Sequence, residues 1–415
     1  MNNLRIWLSL LFVFSVGYAL VTHGQSRSRS KRVPTSAKTA RQSDTAPDTA
    51  PDTAFESAVK VANEARVAGR LDEAIEAYTN AVRIRPKWPD GWWYLGAIYY
   101  AKDLYPQAKD SFSNLVALQP ERAPAWGMLG LCQFQTREYE HSIASLERGL
   151  SLGLDDNKEL RSVVLYHSAL LYVRYEQFEM AYAALRQLES YDNQKIIETF
   201  GLIMLRMPLL PNEIPADKRE QVLLAGRAGA SMAARHLDAS RTYFAELLAR
   251  YPNDPNVHYS FGVFVLQQDA ETALKEFQRA HELDPNHQPA MVQMAFEYLK
   301  RRDYDAALPL AEKSVALAPR MFPARNVLGR VLLELGQTER AIQQLEEGVR
   351  LAPESPDMHF SLARAYQRAG RKEDADREHV IFKKLEEKYN QQAETKQTDG
   401  VKGTATPKPS PENQK

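Results

Sequence analysis

Residues 89–122 read PDGWWYLGAIYYAKDLYPQAKDSFSNLVALQPER. In the first half of this stretch, Trp92, Leu95 and Tyr99 are spaced three and four residues apart. That spacing predicts one apolar face on a first helix. A second helix follows and ends at Pro120, because proline has no N–H and its ring clashes with the preceding turn. The stretch therefore predicts one helix–turn–helix unit.

The two helices of this unit carry small residues where they approach each other. Gly96 on the first helix and Ala108 on the second let the two backbones pack closely, while Phe112 and Leu115 fill the space towards a following unit. Two helices this short cannot bury an apolar face on their own, so they need neighbouring units on either side. Further copies of the pattern are therefore expected elsewhere in the chain.

The same positions recur at steps of about 34 residues on both sides of one interruption. The matching residues include Ala62, Ala74, Tyr78, Trp126, Leu129, Gly130, Leu146, Leu224, Ala228, Phe244, Gly262, Phe277, Ala295, Gly329 and Leu345. Trp, Leu-Gly, Tyr, Ala, Phe and Pro at these offsets resemble the tetratricopeptide repeat family, over about nine units between residues 55 and 389. The resemblance implies an all-α solenoid, a right-handed superhelix of helix–turn–helix repeats.

The interruption contains an apolar segment around Phe200 at helical spacing, followed by Pro208, Pro211 and Pro215, which forbid the helix from continuing. We therefore predict an inserted helix and a proline-rich loop between two arrays of repeats. The predicted boundaries are 55–190 for an array of about four repeats, 191–220 for the insertion, 221–390 for about five repeats with a capping helix, and 391–415 for a disordered tail.

The N-terminal residues have the pattern of an export segment. Arg5 precedes an apolar run over residues 6–21, and residues 22–24 resemble a cleavage site, so residues 1–24 are interpreted as a signal peptide or a membrane anchor. Residues 25–54 are interpreted as a disordered linker. We expect the repeats to be extracytoplasmic, either periplasmic, secreted or anchored. The alternative is a cytoplasmic array tethered through residues 6–21, because basic residues without acids follow that run.

Composition and motifs give no indication of catalysis. Lys and Arg together number 53, as do Asp and Glu, so no net charge favours nucleic acid as a partner. The single cysteine, Cys132, lies among apolar residues of a predicted helix, which is typical of an inert buried thiol. No phosphate-binding glycine loop and no metal-ligand spacing occurs among the scattered histidines. We therefore predict a protein that is not an enzyme and needs no cofactor or metal.

The resemblance to tetratricopeptide proteins implies a binding groove lined by the first helix of each repeat. Carried over to this chain, its offsets predict an apolar and aromatic lining. The predicted groove residues are Trp93, Tyr100, Leu131, Phe134, Tyr166, Leu170, Tyr259 and Phe296. Asn63 matches one position of the lysine, asparagine and arginine clamp found in some members, but Val59, Ala97 and Gly127 stand at others. A clamp for a C-terminal carboxylate is therefore not expected.

We hypothesise that the groove presents a concave apolar surface to a peptide or protein partner in the cell envelope, as a scaffold or adaptor. Three alternatives remain open. The aromatic side chains can simply pack against each other, the groove can carry a lipid or a glycan, or the chain can be a non-catalytic targeting subunit of an enzyme complex. The identity of the partner does not follow from the sequence.

Overall fold

The computed structural model describes residues 50–402. In that range the chain forms 19 α-helices, one 3₁₀ helix and no β-strand, which confirms the predicted all-α class. None of the helices in the described part combines the length and apolarity needed to cross a bilayer. The predicted export segment, residues 1–24, lies outside the described residues, as do residues 25–49 of the predicted linker and 403–415 of the predicted tail.

The described residues form two compact units. Unit 1 comprises the described residues up to Ile203 together with Met207–Pro215, and it contains four helix pairs and an additional helix. Its helices are α1 (Ala50–Val67), α2 (Leu71–Ile84), α3 (Pro89–Ala101), α4 (Tyr105–Leu118), α5 (Ala123–Gln135), α6 (Tyr139–Leu152), α7 (Lys158–Arg174), α8 (Phe178–Leu185) and α9 (Gln194–Met204), with the 3₁₀ helix at Pro211–Glu213. The last residue of α9 belongs to unit 2. Helix α9 and the proline-containing segment after it correspond to the predicted insertion.

Unit 2 comprises Met204–Arg206 and the described residues from Ala216 onward, and it contains five helix pairs. Its helices are α10 (Arg219–Ala233), α11 (Leu237–Arg250), α12 (Pro255–Val265), α13 (Ala270–Leu283), α14 (Gln288–Lys300), α15 (Tyr304–Leu317), α16 (Phe322–Glu334), α17 (Thr338–Leu351), α18 (Pro356–Arg368) and α19 (Lys372–Lys402). The last helix extends past residue 390, where the sequence analysis began the tail, because the charged residues there favour helix and contain no proline before residue 407.

In four helix pairs, a glycine on the first helix faces a large buried side chain on the second. A Cβ added at Gly96 would lie 2.9 Å from Cζ of Phe112, and one at Gly130 would lie 2.6 Å from Cδ2 of Leu146. Phe112 and Leu146 are fully buried. Glycine at these two positions therefore sets how closely the helices pack, as the sequence predicts.

A hydrogen bond between consecutive repeats recurs at the fourth position of the repeat. There a side-chain N–H donates to the carbonyl oxygen of the proline six residues earlier. The pairs are Trp92 Nε1–Pro86 (2.7 Å), Trp126 Nε1–Pro120 (2.8 Å), His258 Nε2–Pro252 (2.9 Å), Arg325 Nε–Pro319 (2.8 Å) and His359 Nε2–Pro353 (2.9 Å). Tryptophan, histidine and arginine exchange at this position because each has an N–H at the same reach.

His258 makes this hydrogen bond as a cation. Its Nε2 faces the Pro252 carbonyl oxygen, which can only accept, so that nitrogen carries a proton. Its Nδ1 lies 2.6 Å from Oε2 of Glu276, so the other nitrogen donates as well. The hydrogen bond to Glu276 raises the pKa of His258 above its ordinary value, although burial and the nearby Arg279 oppose the shift.

We expect Trp126→Phe to lower the free energy of unfolding of unit 1 by about 1 kcal/mol more than Trp93→Phe does, because both changes shorten an indole to a phenyl ring but only the first also removes a hydrogen bond, that to Pro120. The measurement is urea denaturation followed by circular dichroism. Trp93→Phe is the matched control, since the Trp93 indole forms no hydrogen bond with any described residue. Equal losses in both variants would show that the hydrogen bond contributes nothing.

Loss of the second proton from the His258 ring should make unit 2 less stable in alkaline solution. Because the folded-state pKa is raised, its stabilising contribution is complete below a pH of about 6.5 and is lost as the pH rises through the folded pKa. We therefore expect the stability difference between wild type and His258→Gln to shrink between pH values of about 6 and about 9. His236→Gln, at an exposed histidine of the same unit, is the control. A difference that does not change with pH would contradict this assignment.

Candidate functional site

The residues predicted to line a groove all lie on first helices of repeats. We call the side of each unit formed by these helices its first-helix face. It consists of α1, α3, α5 and α7 in unit 1, and of α10, α12, α14, α16 and α18 in unit 2. Some first helices contact each other directly, as α5 does with α7, α14 with α16, and α16 with α18. The predicted residues of each unit thus lie on the same set of helices.

Four of the eight predicted residues are buried. Tyr100 is 3% exposed, with its ring edge-on to Tyr105 at a centroid distance of 5.3 Å. Its hydroxyl has no hydrogen-bond partner among the described residues, and burial raises its pKa. Leu131, Leu170 and Tyr259 are also buried. For these four side chains the structure shows core packing rather than an open groove.

Three predicted residues of unit 1 remain partly exposed, namely Trp93, Phe134 and Tyr166. We call them the aromatic row. The Trp93 ring packs edge-on against Phe112 at 5.7 Å, and the guanidinium of Arg122 lies 4.8 Å above it. Phe112 and the guanidinium of Arg122 therefore hold the Trp93 ring, and the side chain remains partly exposed.

Phe134 and Tyr166 are held by the same histidine. Both rings stand edge-on to His167, at 4.8 Å and 5.5 Å. The Nδ1–H of His167 donates to the carbonyl oxygen of Val163 at 2.8 Å, and burial lowers the pKa of this imidazole, so it is neutral. Burial raises the pKa of the Tyr166 phenol to about 12, so this side chain is uncharged as well. Phe134, Tyr166 and the His167 between them thus form a preorganised, uncharged surface.

The eighth predicted residue, Phe296, lies on the first-helix face of unit 2 and has cations around its ring. Lys300 Nζ is 5.5 Å from the ring centroid, and Cζ of Arg330 is 5.2 Å from it. Arg330 and Arg364 occupy, in the next two repeats, the same offset that Phe296 occupies in its own. Neither arginine is among the predicted groove residues, and the predicted apolar lining is incomplete, although the same offset rule selects both.

Other chemistry was sought throughout residues 50–402. No group of three or more His, Cys, Asp and Glu side chains in this range is arranged to hold a metal ion. Cys132 is buried, and burial raises the pKa of its thiol, so it is uncharged. A cavity of about 620 Å³ lies at the first repeat, lined by Phe55, Arg85, Pro86, Lys87 and Trp88. None of the predicted groove residues contributes to that cavity.

Comparison with known proteins gives matches to repeats of one family. Two family profiles described as "Tetratricopeptide repeat" match residues 298–359 and 99–156, and one described as "TPR repeat" matches residues 63–103. Anaphase-promoting complex subunit 3 of Schizosaccharomyces pombe is 26% identical over 136 residues, which is 32% of this chain. The match spans 20% of the length of that relative.

Among solved structures, "MamA 41-end from Desulfovibrio magneticus RS-1" is 26% identical and covers 40% of this chain and 94% of its own, with a TM-score of 0.36. "MamA RS-1 ArsTM double mutant" is 25% identical and covers 41% of this chain and 96% of its own, with the same TM-score of 0.36. The family matches lie in both units and agree with the helix pairs described above. This chain is a protein with tetratricopeptide repeats in both of its units.

Proposed function

We propose that this chain is a non-catalytic scaffold of the cell envelope whose first-helix face in unit 1 binds an apolar segment of a partner protein. The observation that carries this proposal is the aromatic row. Trp93, Phe134 and Tyr166 stay partly exposed on a face where the other predicted residues are buried. Partly exposed aromatic side chains on a rigid support are typical anchors of protein interfaces.

The rigidity of the row favours binding. Arg122 stacks on Trp93, and His167 contacts both Phe134 and Tyr166, so these rings are already ordered before a partner arrives. Little rotamer entropy is then lost on association, and apolar area on the partner is buried against a preformed surface. The uncharged His167 beside Phe134 and Tyr166 favours an apolar segment over an acidic or basic one at that end of the row.

The family supports protein binding as the general role, since repeats of this kind present extended surfaces to partners. Because the curated relative is matched over only 20% of its length, its complex is no guide to the partner of this chain. The envelope location rests on the sequence of residues 1–24, which lie outside the described residues.

The binding face is tested by a photo-crosslinking amino acid placed in the full-length chain at Phe134 on α5. We expect crosslinks to an apolar peptide of a partner in native extract. The matched control carries the crosslinker at Ala144, an exposed residue on α6 of the same repeat. Mass spectrometry identifies the crosslinked peptide. Equal yields from both sites would place the interface elsewhere, and a crosslinked lipid or glycan would show a carrier.

Affinity for the crosslinked partner should also depend on the row. We expect Phe134→Leu to weaken binding by about tenfold or more, because the contact of the aromatic ring with the partner is lost while an apolar core side chain remains. The measurement is a titration of the purified partner, with circular dichroism to confirm that the variant folds. Unchanged affinity in a folded variant would remove Phe134 from the interface.

The location is tested by fusing alkaline phosphatase to the end of the full-length chain in a bacterial host. We expect an active enzyme, because its disulfides form only outside the cytoplasm. Deletion of residues 6–21 is the control and should abolish the activity. The cytoplasmic alternative would be supported if the full fusion lacked phosphatase activity while a fluorescent protein fused at the same site was bright.

A further inference from the structure

Arg330 is a half-buried cation without a hydrogen-bond acceptor among the described residues. It lies on α16, the fourth of the five first helices of unit 2, and it forms no hydrogen bond or ion pair with any residue in the described range. Its guanidinium stacks on Phe296, and its pKa is lowered mainly by burial and also by the neighbouring Arg364. A cation that loses water without gaining an acceptor is costly, so this site favours an anionic ligand.

A second donor without an acceptor lies one turn away on the same helix. Asn326 precedes Arg330 by four residues, which places both side chains on one side of α16. The Oδ1 atom of Asn326 is buried and has no partner among the described residues. Its Nδ2 also forms no hydrogen bond there, but it is not among the buried atoms, so it is the part of the amide that a ligand can reach.

An exposed aromatic ring lies on the next first helix, α18. Phe360 is 42% exposed, a large fraction for a phenylalanine, and its ring contacts Phe382 at 5.3 Å. Arg364 follows four residues later, but it is already paired with Glu334 at 3.3 Å. Of the polar side chains named here, those of Arg330 and Asn326 on α16 lack an acceptor among the described residues, and the first helices before and after α16 carry the rings of Phe296 and Phe360.

The charges nearby favour a ligand with a single negative charge. The charges of Glu334 and Asp357, as well as that of Arg364, act electrostatically on Arg330. These acids would repel a phosphate dianion more strongly than a carboxylate, while the planar guanidinium matches a carboxylate with two parallel hydrogen bonds. The aromatic rings at Phe296 and Phe360 suit apolar side chains on either side of that carboxylate.

We propose that Phe296, Asn326, Arg330 and Phe360, here called the Arg330 surface, bind a segment of a partner protein in which an aspartate or glutamate is flanked by apolar side chains. Its carboxylate accepts hydrogen bonds from Arg330 and from Nδ2 of Asn326. This proposal rests on the proposed function in that the partner is a protein, but it concerns unit 2 and a charged ligand. It therefore stands or falls independently of the aromatic row.

The experiment pans a phage library of random heptapeptides on the full-length chain and on its Arg330→Gln variant. We expect the wild type to enrich peptides with one acidic residue beside apolar ones, and the variant to enrich none of them. Arg320→Gln is the matched control, because Arg320 is an exposed arginine of the same unit and its loss changes the net charge equally. Enrichment without an acidic residue, or an equal effect of both variants, would overturn the proposal.

A double-mutant cycle then locates the carboxylate. The probe is the most enriched peptide labelled with fluorescein, and its binding is followed by fluorescence anisotropy. We expect its Glu→Gln form to bind at least tenfold more weakly to the wild type and no more weakly to Arg330→Gln, since the two changes remove the same contact. Additive losses would assign Arg330 a purely structural role and overturn the proposal.

Two further arms separate the competing explanations. In the first, inorganic phosphate and acetate compete with the peptide for the wild type. If phosphate displaced the peptide at concentrations where acetate did not, the choice of a carboxylate would be overturned. Peptides whose binding requires Phe134 but not Arg330 would overturn the proposal while supporting the proposed function. As a control for folding, Arg330→Gln is expected to unfold in urea at the same midpoint as the wild type. Arg330→Lys keeps the charge but not the planar guanidinium, so it should restore only part of the binding.

Discussion

The architecture depends on the close approach of two short helices that cannot bury their apolar faces alone. Gly96 against Phe112, and Gly130 against Leu146, bring the helices of a pair into contact. Each pair still exposes apolar surface at its ends, which only another pair can cover. In five of the described repeats, a side-chain N–H at the fourth position also donates to the proline carbonyl oxygen that ends the preceding repeat, which helps to fix one pair on the next.

In this architecture the first helices have two roles. They must pack on the first helices of neighbouring repeats, and they are also the surface that a partner can reach. Tyr100 and Leu131 are buried and contribute to packing, whereas Trp93 and Phe134 remain partly exposed. In unit 2, Arg330 and Phe360 occupy comparable positions but with charge and exposed aromatic area. The two units therefore offer different surface chemistry on the same scaffold.

Much of the fold follows from the sequence, because helical spacing and proline punctuation are local properties. The pattern at Trp92, Gly96 and Phe112 predicts the helix pair, and the prolines after Phe200 predict the end of the inserted helix. Exposure is different. Offsets along a helix tell which side faces the next repeat, but not how closely the next helix covers it, and so they did not predict that Tyr259 is buried. Arg330 was available to the same offset rule, yet its missing partner is visible only in three dimensions.

The central claim is that partners bind the first-helix faces. Hydrogen–deuterium exchange of the full-length chain with and without a purified partner tests it most directly. Slower exchange on binding is predicted along α3, α5 and α7 for a partner held by the aromatic row, with α4, α6 and α8 unchanged. Slower exchange confined to those second helices, or to α9 and the proline-containing segment after it, would contradict the account.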